Sequence, residues 1–269
     1  MSRLAETFAA ARADERAVLI AYLPAGFPTL HDCVPVIAAM VENGVDVVEI
    51  GLPYSDPLMD GPVIQAAVTS ALAHGTTTKE VLRTVEGVAG TGAPTLVMSY
   101  WNPIERYGVD RFAKDLMLAG GVGVITPDLT PEEAEPWIAA TDQSDIDRVF
   151  LVAPSSTDER IELVASVTSG FVYAASTMGV TGTRTTVSSA AGTLVERVRS
   201  HTSLPVCVGL GVSTPDQAAE VASYADGVIV GSAFVRALAE APTPAAGAAA
   251  AARLAGELAQ GVRSARTAR

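Results

Sequence analysis

The sequence predicts an α/β fold: a single closed (β/α)8 barrel over residues 1–269, with an extra N-terminal helix and a short helix after the eighth strand. Three observations predict it. Eight short runs rich in β-branched residues alternate with helical patterns, which is the signature of a parallel sheet wrapped by helices. The runs are continuously apolar rather than alternating, as strands buried on both faces are. The chain, 269 residues with 49% hydrophobic content, is long enough for one such barrel, and no linker, charge block or low-complexity break divides it before an alanine-rich tail. The rival is an open doubly wound sheet. It would carry a GxGxxG turn after the first strand, where this chain reads PAGFPTL.

Taken in order, MSRLAETFAAARADER supplies the N-terminal helix and AVLIAYL (17–23) the first strand. HDCVPVIAAMVENG (31–44) reads as a helix closed by Asn43-Gly44. VDVVEIG (45–51) is the second strand, and helices over 62–74 and 78–89 follow it. Strands at 94–100, 122–127, 148–154 and 171–176 come next, separated by helices at 110–118, 131–139 and 158–167. A helix at 190–199 leads to LPVCVGLG (204–211), and one at 214–222 leads to DGVIVGS (226–232). The tail over 245–262, interrupted by Arg253 and Glu257, reads as a helix packed on the barrel rather than a membrane span.

The formal net charge of -12 argues against nucleic acid or an anionic membrane as partner, so an anionic ligand needs local help from backbone N–H groups. Cys33 and Cys207 lie far apart and read as reduced thiols. The N-terminus lacks a signal-peptide apolar region, and a cytoplasmic protein is expected.

In a barrel of this kind the site forms at the C-terminal ends of the strands. Glu49 stands on the last turn of the second strand, and alternation puts it on one face with Val45 and Val47. If that face points inward, a half-buried carboxylate with a raised pKa is held ready to donate a proton near neutrality. A structural ion pair is the other reading. Asp60 lies in LPYSDPLMDGP, a loop stiffened by prolines. It also suits an N-cap for a helix opening at Gly61-Pro62, as Asp56 does before Pro57. Glycines at the ends of the seventh strand (Gly209, Gly211) and the eighth (Gly231, beside Ser232) fit a phosphate cradle. MGVTGTRTTVSS (178–189) is long and polar enough to close over a ligand. Lys79 and Lys114 fall in helical patterns, which disfavours a Schiff base, and His31, His74 and His201 show no ligand spacing, so no metal is expected.

EIGLPYSDPLMDGPVIQ (49–65) resembles the E-x-G-x-P-[FY]-S-D-P-x-x-D-G-P-x-I-Q signature of the tryptophan synthase α chains. YAASTMGVTG (173–182), GLGVSTPDQ and VGSAFV resemble that family's later motifs in the same order. The resemblance implies a lyase that splits indole-3-glycerol phosphate into indole and glyceraldehyde 3-phosphate. It implies Glu49 as proton shuttle, Asp60 at the indole nitrogen, and Tyr173 orienting the glutamate. Tyr22, Met98, Tyr100 and Ile125 match the indole pocket, Thr181 a loop contact to the aspartate, and Gly182, Gly211, Gly231 and Ser232 the phosphate binders. Pro53, Asp56 and Asn102 match positions at the contact with a β chain, the implied partner in an αββα assembly. Pyridoxal phosphate then belongs to that partner, and this chain carries no cofactor. Two positions depart from the family pattern: Thr177, where many members carry arginine, and Thr126-Pro127 after the fourth strand.

Overall fold

The computed structural model describes residues 2–175, 189–209 and 211–265. Nine parallel strands form one sheet in the order β5-β4-β3-β2-β1-β9-β8-β7-β6. They are β1 (Val18–Pro24), β2 (Val47–Gly51), β3 (Thr95–Met98), β4 (Gly123–Ile125), β5 (Asp147–Val149), β6 (Leu151–Val152), β7 (Val172–Ala175), β8 (Val206–Gly209) and β9 (Gly227–Val230). The two ends of that order, β5 and β6, are separated in the chain by Phe150 alone, so the ladder closes into a ring through the chain itself.

The fifth expected strand, 148–154, is therefore two. Its first half pairs with β4 and its second with β7. Val149 and Leu151 still face the barrel interior while Phe150 joins the outer layer, so the side-chain alternation runs through the break.

Inside the ring Val18, Ile20, Val47, Leu96, Ile125, Val149, Cys207 and Ile229 pack on one another. The N-terminal helix α1 (Arg3–Ala13) closes the base with Leu4, Phe8 and Ala11, and Ser2 Oγ donates to Asp147 Oδ2 at 2.7 Å. Val45 was expected on the Glu49 face but packs in the outer layer. The strand begins only at Val47, and Asp46 just before it turns to accept from Leu19 N–H (2.9 Å) and Arg16 (2.9 Å).

Around the ring lie α2 (Cys33–Glu42), α3 (Pro62–Ala73) and α4 (Thr78–Ala89), as the pattern foretold. A short helix, α5 (Trp101–Tyr107), not among the expected elements, precedes α6 (Val109–Leu118); Pro103 falls in its first turn, where its missing N–H is harmless. The expected 131–139 helix divides into a 3-10 turn, Pro131–Glu133, and α7 (Glu135–Ser144). Then come α8 (Asp158–Val167), α9 (Ser189–Arg199), α10 (Pro215–Ala222), α11 (Ser232–Ala239) and α12 (Pro244–Ser264). Among the described residues no helix is long and apolar enough to cross a membrane.

Candidate active site

At the C-terminal mouth of the strands a cavity of about 670 Å³, counted with its opening to solvent, is lined by residues from seven strands and the segments that follow them.

Glu49 points into it. Alternation along β2 carries Val47 into the barrel core and Glu49 into the layer above, where it is 2% exposed. Its Oε1 has no hydrogen-bond partner among the described residues. Burial alone pushes its carboxyl up to about 8, so the acid holds its proton at neutral pH. Among the described residues no ion pair involves Glu49.

Asp60 lines the same cavity and is 6% exposed. It is not a helix cap: α3 is capped by Gly61, with Pro62 at its first position. The aspartate turns instead toward β3, where Tyr100 O–H donates to Oδ1 at 3.0 Å. Burial raises its pKa and the Tyr100 hydrogen bond works against that rise. Tyr100 also accepts from Met59 N–H at 3.0 Å, so one phenol holds both the acid and the residue before it. Tyr100 is not part of the cavity wall; it stands behind Asp60.

Tyr173, on β7, faces the cavity, and burial followed by the nearby Glu49 charge pushes its phenol well up. No hydrogen bond joins it to Glu49 Oε1. Its hydroxyl occupies the space a Cβ at Gly209 would need. Tyr22, Met98 and Ile125 line the wall as anticipated. So do Gly211, Gly231 and Ser232, which follow β8 and β9. Gly211 has φ +95, a left-handed conformation that favours glycine. The segment after it is fixed by Gln217 Oε1, which accepts from Ser213 N–H at 2.8 Å and Thr214 N–H at 3.3 Å at the start of α10. Gly231 and Ser232 open α11 directly from β9, so that helix begins at the cavity edge with its positive end toward it. Thr181 and Gly182 lie outside the described residues, as does Thr177.

Sequence reasoning missed Met59, Ile64, Leu151, Val212 and Ile229 in the wall, which also holds Pro127, one of the residues that depart from the family pattern. Ile229 was within reach, since it shares a face with Gly231 by strand alternation. Ile64, on the first turn of α3, left no local signal. Pro53 and Asn102 border a separate, shallower depression with Tyr54 and Arg106, and Asn102 Nδ2 donates to Tyr54 OH at 2.7 Å. Asp56 is exposed beside it, accepting from Ser55 Oγ at 2.5 Å.

A family model described as tryptophan synthase alpha chain matches residues 8–263. The tryptophan synthase alpha chain of Thermobifida fusca is 59% identical over 268 residues, covering 98% of this chain and 99% of its own. That of Nocardia farcinica is 56% identical over 264 residues, covering 98% and 97%. A solved chain of Mycobacterium tuberculosis tryptophan synthase superposes with a TM-score of 0.92 at 53% identity, over 97% of this chain and 98% of that one.

Proposed function

Since the chain belongs to the tryptophan synthase alpha chain family and so cleaves indole-3-glycerol phosphate to indole for the beta chain, we propose that Glu49, Asp60 and Tyr173 carry that cleavage. The observation that carries the assignment is the pairing, in one cavity, of a buried proton-bearing Glu49 with an Asp60 held by Tyr100, opposite glycine-lined loops suited to a phosphate.

The two acids differ in setting, and that difference supports a division of labour. Glu49 Oε1 has no partner among the described residues and its carboxyl is protonated at neutral pH, as an acid that protonates C3 of the indole ring must be. Asp60 has a hydrogen bond favouring its carboxylate form, which suits it to accept from the ring N–H. Protonation at C3 makes the ring an electron sink. The adjacent linker hydroxyl then loses its proton to the Glu49 carboxylate, its O–H electron pair forms the aldehyde C=O, and the carbon–carbon pair returns to the ring. Glu49 ends the cycle protonated again, so no net proton is consumed. Tyr173 supplies a polar wall beside Glu49 that is neutral at working pH.

Gly211, Gly231 and Ser232 are proposed to hold the phosphate, joined by Thr181 and Gly182, with Tyr22, Met98 and Ile125 around the ring and Tyr100 acting through Asp60. The beta chain is proposed to seat on the face bearing Pro53, Asp56 and Asn102 in an α2β2 assembly, with pyridoxal phosphate residing in that partner. Residues 1–269 are read as one domain acting in the cytoplasm. Indole release from indole-3-glycerol phosphate, followed with and without beta chain, is the direct test. Equimolar indole and glyceraldehyde 3-phosphate, lost in Glu49→Gln and Asp60→Asn, are expected. Full activity in either variant would overturn the site assignment.

A further inference from the structure

In the sheet order β1 lies between β9 and β2. The glycines and Ser232 sit at and beyond the ends of β8 and β9, and the two acids at and beyond the end of β2. A ligand with its phosphate on the first group and its ring on the second must cross the end of β1. The inward residue there is Tyr22, the Cα partner of Glu49. The near part of its ring lies against Gly231, where a Cβ would come within 3.0 Å of Tyr22 Cδ1. Its hydroxyl reaches Gly51, where a Cβ would collide with it. The phenol thus spans the distance from cradle to acids.

Tyr22 is 7% exposed, and its hydroxyl makes no hydrogen bond among the described residues. Burial first, then the nearby Asp60, Tyr100, Glu49 and Tyr173, push its pKa well up, so it remains a donor at working pH. What lies open to it is the cavity.

We infer that Tyr22 is a specificity-determining residue of the cleavage, its hydroxyl donating a hydrogen bond to the hydroxyl-bearing three-carbon linker between ring and phosphate. This rests on the ligand orientation proposed above. An aromatic wall alone would hold any ring; the phenolic O–H adds discrimination for a linker that carries hydroxyls, because a polar contact rejects the analogue lacking it.

Tyr22→Phe keeps the ring and removes the O–H. The test compares kcat/KM for indole-3-glycerol phosphate with the inhibition constant of indole-3-propanol phosphate, whose linker has no hydroxyls, both with beta chain present. The expected result is a roughly 3- to 10-fold fall in kcat/KM with an inhibition constant that is unchanged or tightened. Any other pattern, including equal changes in both constants or none in either, overturns the inference; a merely structural phenol would shift both. The unaltered protein in the same assay separates the two levels. Failure of the unaltered protein to bind either compound sinks the cavity assignment itself, whereas normal binding and cleavage with an indifferent Tyr22→Phe sinks only the role of the hydroxyl.

Discussion

Tyr100 donates to Asp60 Oδ1 across 3.0 Å while accepting from the N–H of Met59, the residue just before that aspartate. The acid is thereby fixed both through its carboxylate and through its backbone. Tyr100→Phe removes both contacts. The hydrogen bond is the influence that lowers the Asp60 pKa against the effect of burial, so its loss raises that pKa further. The acidic limb of the kcat/KM profile that reports Asp60 should move to higher pH. Folding stability should fall by about 0.5–1.5 kcal/mol. An unmoved acidic limb would show that Asp60 does not depend on this contact.

Glu49→Gln should lower turnover by roughly 10²- to 10⁴-fold, as removal of a general acid–base does. In the unaltered protein kcat/KM should decline as pH rises past about 8, where the buried acid loses its proton. The same shift predicts a stability signature. The folded pKa of about 8 lies above the ordinary value of 4.5, so within that window the folded state holds a proton that the unfolded chain releases. Stability contributed by the proton is therefore lost as pH rises through the window. Glu49→Gln should gain stability over the unaltered protein as pH increases, read from denaturant midpoints. A constant difference between the two would contradict the buried, raised acid.

Gly209→Ala should displace Tyr173, because the added methyl claims the space of the phenolic hydroxyl. Overpacking of this kind costs about 1–3 kcal/mol. Activity should fall, and adding Tyr173→Phe, which removes the oxygen but leaves ring carbons 2.5 and 2.7 Å from the new methyl, should restore stability only in part. Thermal unfolding of the single and double variants decides it.

Gly211→Ala places a side chain at φ +95, a strained conformation costing about 1–3 kcal/mol, at the edge of the cradle. Affinity for glyceraldehyde 3-phosphate should weaken while affinity for free indole stays unchanged. Calorimetric titration of both ligands reads the difference, and equal losses would move the phosphate elsewhere.

Sequence by itself determined the strand and helix series, because apolar continuity and cap residues are local properties. It singled out Glu49 and Asp60 because a carboxylate at the end of an apolar strand, and another in a proline-stiffened loop, stand out against their neighbours. It also placed Gly211, Gly231 and Ser232 at strand ends, since strand length fixes where the run stops. Only the tertiary structure decided that Asp60 bonds to Tyr100, forty residues away in the chain, rather than capping α3, whose cap is Gly61. It likewise decided that the fifth strand divides at Phe150 to close the ring, and that Ile64 joins the wall. These depend on which strands become neighbours and how far their side chains reach across the mouth. Such distances arise from closure of the sheet, and no local pattern encodes them.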